Sequence, residues 1–483
     1  MKKRYILLMI LILAAELSAW WCNWCELLNK ENDETCIYCN KKKGSRPVNE
    51  KERLEQLYEY AMSIKHPHID LCNKIYEFSG KYLDRMKKDD YSEEIRKIFI
   101  IKAFCAINSN NYREASESYV DLFYRIKSVS SEKINNINRE DYLEDLLYKA
   151  FHSLVKFRDY SIDKSDYAWV RGANIRMIST AELYEKEFPA GRHLPEIMRL
   201  HASILIRSKK EEDAVIVLEK IISMFPDKTD LSLFAYQSIL SLLTDLDENY
   251  KAASYARKYS DYARKNGKKE TARRAAESEL YQYIIMEEKK RSFNPDLLFE
   301  FIRYYETTGY DNLVAESVAL LFNVFLKEKD AEKRARNLEK LLPVSKRNVR
   351  VYQAVRNELS SIYFGIGEKQ FRQAEKEKNA KVQSILYFDA GQYFIRVNKY
   401  IEDNKDKKDL WYNIVISNYN SLKVSGDFRK AAEEEKKRLE DSLNIISFYT
   451  KKLLLLNLSG KEKQYINMVL QETAKFKKLF PDK

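Results

Sequence analysis

Apolar positions recur at helical spacing along most of the chain. The clearest block is LPEIMRLHASILIRSKKEEDAVIVLEKIISMFP, residues 194–226. Ala202 precedes Ala214 by twelve residues, and Leu205, Leu218 and Ile221 fill the large positions around them. The periodicity predicts two amphipathic helices joined by a polar turn. Small residues let the two helices approach closely, and the large ones plug the groove to neighbouring pairs. Pro226 ends the second helix, because proline has no N–H for the ladder. A second block, FIIKAFCAINSNNYREASESYVDLF at 99–123, repeats the arrangement. Ala103 and Ala115 are again twelve apart, with Phe99, Ala106, Tyr119 and Leu122 in the other slots and NNYREA as the turn. Weaker echoes are ENYKAASYARKY from Glu248 and GDFRKAAEEEKKRL from Gly426, and the closing KLFPDK reads as the end of one more second helix.

Pro189 and Pro226 lie 37 residues apart, near the period of about 34 of tetratricopeptide repeats. The segments resemble that family, well over 95–260 and elsewhere only by helical pattern. The resemblance implies an all-α solenoid of helical hairpins. It also implies a protein or peptide partner on the concave face, the usual use of such a surface. The 34 tyrosines suit a binding groove and ordinary helix packing equally, so they single out no binding residue.

Composition supports the helical reading. Glycine occurs 11 times and proline 8 times, whereas average usage gives about 34 glycines. The formal charge of +12 comes from 85 basic and 73 acidic residues that are interleaved, as in KEKDAEKRARNLEKLL from Lys327. That pattern is a solvated helix face laced with i,i+4 pairs rather than a nucleic-acid stripe. No phosphate loop, HExxH helix, GxSxG elbow or dinucleotide fingerprint is present. YFGIGEK from Tyr363 reads as a turn after a helix, and HPHIDLC, with His66, His68 and Cys72, as a loop entering a helix. Cys72 and Cys105 lie within apolar helical patterns, as small core residues do. The chain is expected to be non-enzymatic.

The first residues are MKKRYILLMILILAAELSAWW. Lys2, Lys3 and Arg4 form a charged start, Tyr5 to Ala15 an apolar run, and Leu17, Ser18 and Ala19 a small-residue cleavage site. This is the anatomy of a secretory signal peptide. The run falls short of the roughly 20 apolar residues of a membrane span. The expectation is an exported, periplasmic or cell-envelope protein, bacterial by its leader. The alternative is an inner-membrane anchor formed by residues 5–19, which would be the chain's one route to a membrane.

Four of the six cysteines follow in WWCNWCELLNKENDETCIYCNKKKG, from Trp20. Cys22 and Cys25 form one C-x-x-C, Cys36 and Cys39 a second. Two such knuckles suit a four-coordinate metal. A module of some twenty residues lacks the apolar surface to fold alone, and metal binding worth roughly 10–16 kcal/mol supplies that energy. An oxidising compartment instead favours disulfides among the same four residues, so both states stay open. The full spacing is W-x-C-x2-C-x3-N-x6-C-x2-C, through Trp20 and Asn29. It resembles the Ran-binding-protein type of zinc finger, a small zinc ribbon of two hairpins. The resemblance implies one structural zinc ion on Cys22, Cys25, Cys36 and Cys39. It implies Trp20 packed against the site and Asn29 tying the loop by side-chain hydrogen bonds.

The family binds ubiquitin or single-stranded RNA, and neither carries over. Ubiquitin binders have Thr-Phe where this chain has Glu26-Leu27. RNA binders use arginines in a loop that here reads KENDET, whose acids repel phosphate. The expected layout is a signal peptide (1–19), a zinc ribbon (20–40), a basic linker (41–50), tetratricopeptide-like repeats (51–290) and a degenerate helical-repeat region (291–483). The expected work is a protein–protein interaction scaffold or assembly factor of the cell envelope. Two alternatives stand beside it: a nucleic-acid-binding protein using the finger and the +12 charge, and a thiol redox factor using the first C-x-x-C. Redox use of that pair requires a βαβ setting, and no strand-forming sequence precedes it.

Overall fold

The computed structural model describes residues 19–30, 33–86, 91–129, 138–289, 293–402, 404–425 and 431–478. Residues 1–18 of the leader, the first five residues of the Gly426 echo and all but Lys478 of the closing KLFPDK lie outside them. Two compact units divide the chain, Met1–Asp247 and Glu248–Lys483.

The first unit opens with an antiparallel ribbon, β1 (Ala19–Trp21) paired to β2 (Leu28–Lys30), in the register Trp20 to Asn29. Helices α1 (Glu50–Ser63), α2 (Ile69–Asp84), α3 (Glu93–Asn108) and α4 (Tyr112–Ser128) follow. Then come α5 (Arg139–Asp163), α6 (Tyr167–Glu187), α7 (Leu194–Arg207), α8 (Glu211–Met224) and α9 (Thr229–Asp245). The second unit holds α10 (Asn249–Lys265), α11 (Lys269–Glu288), α12 (Pro295–Tyr305), α13 (Asp311–Leu326) and α14 (Ala331–Ser345). It continues with α15 (Val349–Lys376), α16 (Ala380–Val397), α17 (Asn404–Val424), α18 (Glu433–Leu454) and α19 (Gly460–Lys477).

Within each unit the main contacts join helices adjacent in sequence, with lesser ones two along. This is an all-α, tetratricopeptide-like succession of helical hairpins. The repeat residues behave accordingly. Ala103, Ala115, Ala202 and Ala214 have no exposed surface, and Leu205, Leu218, Ile221, Phe99 and Leu122 are buried around them. α6 ends two residues before Pro189 and α8 two before Pro226.

Tight turns are made with few glycines. Asn110, Ser165 and Lys209 take φ of 62°, 55° and 55° just after α3, α5 and α7. In each turn the next N–H reaches back to the helix: Asn111 to Ala106 O at 2.8 Å, Asp166 to Ser161 O at 2.9 Å, Lys210 to Leu205 O at 3.0 Å. These are Schellman closures that satisfy orphan carbonyls.

YFGIGEK corrects the expectation of a turn. It lies inside the 28-residue α15. A Cβ on Gly367 would stand 2.8 Å from the Phe394 ring of α16, and one on Gly391 would stand 2.4 Å from Asn418 Nδ2 of α17. Glycine is used here for close helix approach, which sequence spacing does not distinguish from a turn. Gly367→Ala is expected to lower stability by about 1–3 kcal/mol through overpacking, read by denaturant unfolding; an unchanged midpoint would refute the close-approach role.

Many tyrosines stitch hairpins together. Hydroxyls donate to carboxylates on helices two along: Tyr76 to Glu114 at 2.9 Å, Tyr148 to Glu196 at 3.1 Å, Tyr393 to Glu332 at 3.3 Å, and Tyr419 to Glu472. Tyr400, just past α16, donates to Glu339 of α14 at 2.9 Å.

Candidate metal centre

The N-terminal module is two knuckles of the same build. In the first, Glu26 N–H donates to Cys22 O at 2.9 Å and Cys22 N–H to Leu27 O at 3.1 Å. In the second, Asn40 N–H donates to Cys36 O at 2.8 Å and Cys36 N–H to Lys41 O at 2.8 Å. Glu26 and Asn40, each following the second cysteine, have φ of 54° and 53°. That left-handed residue turns the chain so that both sulfurs of a C-x-x-C face the same point.

Cys22, Cys25, Cys36 and Cys39 are each at most 1% exposed. Their four sulfurs lie within 4.8 Å of one another. Cys22 Sγ is 3.6 Å from Cys39 Sγ, and Cys25 Sγ is 3.5 Å from Cys36 Sγ. A tetrahedral ion with metal–sulfur bonds of about 2.3 Å requires sulfur–sulfur edges of about 3.8 Å. The donor set and its spacing therefore fit one tetrahedral ion, and these four residues could bind a metal. All six cysteines are unbridged.

Crowding also sets the electrostatics. Hydrogen bonds from Cys25, then Cys39, pull the Cys22 thiol well below its usual range. Cys25 and Cys39 are pushed up, chiefly by their hydrogen bonds with Cys22. One thiolate is favoured by its neighbours' S–H groups, and further ionisation beside it is costly. A divalent cation would offset that repulsion by replacing the remaining protons.

Asn29 is buried and bridges the knuckles. Its Oδ1 accepts from Ile37 N at 2.9 Å, and its Nδ2 donates to Leu27 O at 3.0 Å. The Trp20 side chain lies outside the described side chains. His66, His68 and Cys72 are not drawn together; among the described residues the four cysteines are the one such ligand group. His68 instead stands at the N-terminal end of α2 without a side-chain cap and meets the Tyr38 ring edge-on, centroids 4.6 Å apart.

Residues 41–49 fold back against the ribbon. Trp24 Nε1 donates to Ser45 Oγ at 3.0 Å, and Thr35 bridges to Lys42. Lys41 Nζ lies 4.3 Å from the Trp24 ring centroid and donates to Gln56 of α1. Arg53 of α1 is the residue that sequence reasoning missed. Its Nε donates to Trp24 O, its Nη2 meets Glu26 Oε1 at 2.8 Å, and its guanidinium lies 3.6 Å from the Phe78 ring centroid of α2. One side chain thus ties the ribbon to the first hairpin. In sequence it resembles any arginine on a solvated helix face.

No protein-family model matches the chain, and the comparison with curated proteins gave no match. Among solved structures the chain is similar to the TPR domain of P58(IPK), with 13% identity over 82% of this chain and 94% of that one, TM-score 0.22. It is similar to a tetratricopeptide repeat protein from Parabacteroides merdae, at 13% identity over 67% and 98%, TM-score 0.18. It is also similar to Naa15/Naa10 bound to HypK-THB, at 11% identity over 88% and 68%, TM-score 0.20. The helical-repeat class rests on the chain's own packing.

Proposed function

We propose that this chain is a non-enzymatic protein-interaction scaffold whose N-terminal ribbon is a Ran-binding-type finger built on one structural zinc ion. Cys22, Cys25, Cys36 and Cys39 would hold it. The observation that carries this reading is the convergence of four buried sulfurs at tetrahedral-edge spacing. Zinc suits a closed four-thiolate site, because it has no redox chemistry and no competing geometric preference. The bridging role of Asn29 supports the same reading. The partner is a protein or peptide, and its seat is the concave face expected of stacked hairpins. Export to the cell envelope is part of the proposal and rests on the leader sequence alone.

Burial argues against the thiol redox alternative, since Cys22 and Cys25 offer no accessible nucleophile. The acids of the KENDET loop argue against the nucleic-acid alternative. The test is metal content with a thiol count on protein from its native compartment. About one zinc per chain supports the reading. No zinc, with the first four cysteines oxidised, would replace the finger with a disulfide knot and leave the helical scaffold.

A further inference from the structure

Two rows of side chains run along α1. Leu54, Leu57 and Ala61 form the buried row. The other row is Arg53, Gln56 and Tyr60, which share a face at i, i+3 and i+7, and it meets the ribbon. Arg53 donates through Nε to Trp24 O and through Nη2 to Glu26 Oε1, the latter at 2.8 Å. Gln56 Oε1 accepts from Lys41 Nζ, and Gln56 Nε2 is oriented by Glu52 Oε1 at 2.8 Å. Tyr60 lies within electrostatic reach of Cys39 and Cys36. On the side of the hairpin, the Phe78 ring holds the Arg53 guanidinium in place.

Each contact lands on the turn of a different knuckle. Glu26 is the left-handed residue of the first. Trp24 O belongs to the peptide whose N–H, that of Cys25, is directed at the Cys22 sulfur, beside the Trp24 N–H at 3.4 Å. A cation on that carbonyl polarises the N–H toward the sulfur. Lys41 closes the second knuckle: its carbonyl accepts from Cys36 N at 2.8 Å, and its N–H is directed at the Cys39 sulfur. Arg53 therefore grips one knuckle and Gln56 the other, and one turn of α1 spans the pair. Four thiolates around a divalent ion leave roughly two negative charges in excess. Arg53 and Lys41 bring two cations beside them, and the Arg53 side chain is only 15% exposed, where salt screens weakly.

We infer that α1 is a part of the metal centre: Arg53 and Gln56 hold the two knuckles at the separation the four sulfurs need, and so set how tightly the ion is kept. The inference rests on the reading of the ribbon as a zinc site and names the residues outside the ribbon that regulate it. They are positioning residues, acting through Trp24, Glu26 and Lys41 rather than on the ion. The coupling is reciprocal: if docking on α1 tightens the ion, the ion stabilises docking on α1 by the same factor. The ribbon is then a metal-dependent end piece of the helical hairpins and not an independent finger.

The experiment uses the full chain, with zinc affinity read by competition against a chromophoric chelator and hydrogen exchange of the α1 amides read with and without zinc. At saturating zinc every variant should hold about one ion per chain, so the difference lies in affinity. Arg53→Gln is expected to bind zinc at least about tenfold more weakly than wild type. Gln56→Ala should weaken it less, and Arg53→Lys, which keeps the charge but not the fork, should recover part of the loss. The remote Arg113→Gln should leave affinity unchanged. Zinc should raise exchange protection of Leu57 and Ala61 in wild type, and that rise should shrink in Arg53→Gln by the factor lost in affinity. Unchanged affinity in both Arg53→Gln and Gln56→Ala overturns the inference while the zinc reading stands. Lower protection in Arg53→Gln that is equal with and without zinc reduces Arg53 to a structural contact and also overturns it. Equal weakening in Arg113→Gln assigns the effect to bulk charge. Failure of the wild-type chain to bind zinc overturns both readings.

Discussion

Cys36→Ser is expected to abolish metal binding, melt the ribbon and loosen the first helical hairpin. Serine is a poor ligand where the other three donors are thiolates. The module also has little to fall back on, since among the described residues its buried side chains are the cysteines, Trp24 and Asn29. Metal binding worth roughly 10–16 kcal/mol would otherwise hold it folded. Zinc should fall from about one per chain to about none, and the amides of Glu26, Cys36 and Asn40 should lose hydrogen-exchange protection. The effect should reach α1, because Arg53 loses Trp24 O and Glu26, and Lys41 no longer meets Gln56. Losing such contacts costs the hairpin on the order of 1–3 kcal/mol. Arg53→Ala separates the two effects: the metal stays while the ribbon's contact with α1 is lost. Unchanged zinc content in Cys36→Ser would remove the four-cysteine site.

The second large effect is expected at Glu279 of α11, which has no exposed surface. Its carboxylate accepts from Arg257 Nε of α10 at 2.9 Å, Tyr283 at 2.9 Å and Tyr305 of α12 at 2.8 Å. Arg257→Met leaves a buried charge without its cation and should cost about 3–5 kcal/mol in denaturant unfolding. Replacing both partners with methionine, with Tyr283→Phe and Tyr305→Phe so that neither buried hydroxyl is left without its acceptor, should recover most of that loss, because a packed apolar cluster carries no desolvation penalty. A combined variant as unstable as Arg257→Met would show that packing, not charge, is responsible.

The same group sets a pH dependence. Burial, the largest influence, holds the Glu279 carboxyl above its ordinary value of 4.5, with Arg257 acting in the opposite direction. The folded chain therefore holds this proton more tightly than the unfolded chain. That contribution is complete below about pH 4.5 and is lost as pH rises through the raised folded value. Comparing wild type with Glu279→Gln over that interval isolates it from carboxylates lowered by ion pairs, such as Glu77 and Glu93. Only the wild type should carry the downward component, and parallel profiles would exclude it.

Some of this was legible in the residues. Helical periodicity and alanines twelve apart specify hairpins, because close packing of two helices tolerates only small residues at the crossing. The C-x-x-C pairs and Asn29 are legible because a knuckle is local, with every ligand inside one short loop. The role of YFGIGEK was not legible, since a glycine at a helix crossing and one in a turn look alike until Phe394 is in place. Nor was the role of the tyrosines, whose carboxylate partners lie 38 to 61 residues away in Tyr76–Glu114 and Tyr393–Glu332.

By itself the sequence determined helix type, the hairpin pairing of the two clearest blocks and the four cysteines of the N-terminal cluster, which depend on neighbours within a few turns of chain. Only the tertiary structure decided that Arg53 secures the ribbon and that Glu279 is buried with its partners. Those facts depend on which distant side chains share a surface, and a charged residue carries no mark of its burial or pairing until the helices have packed.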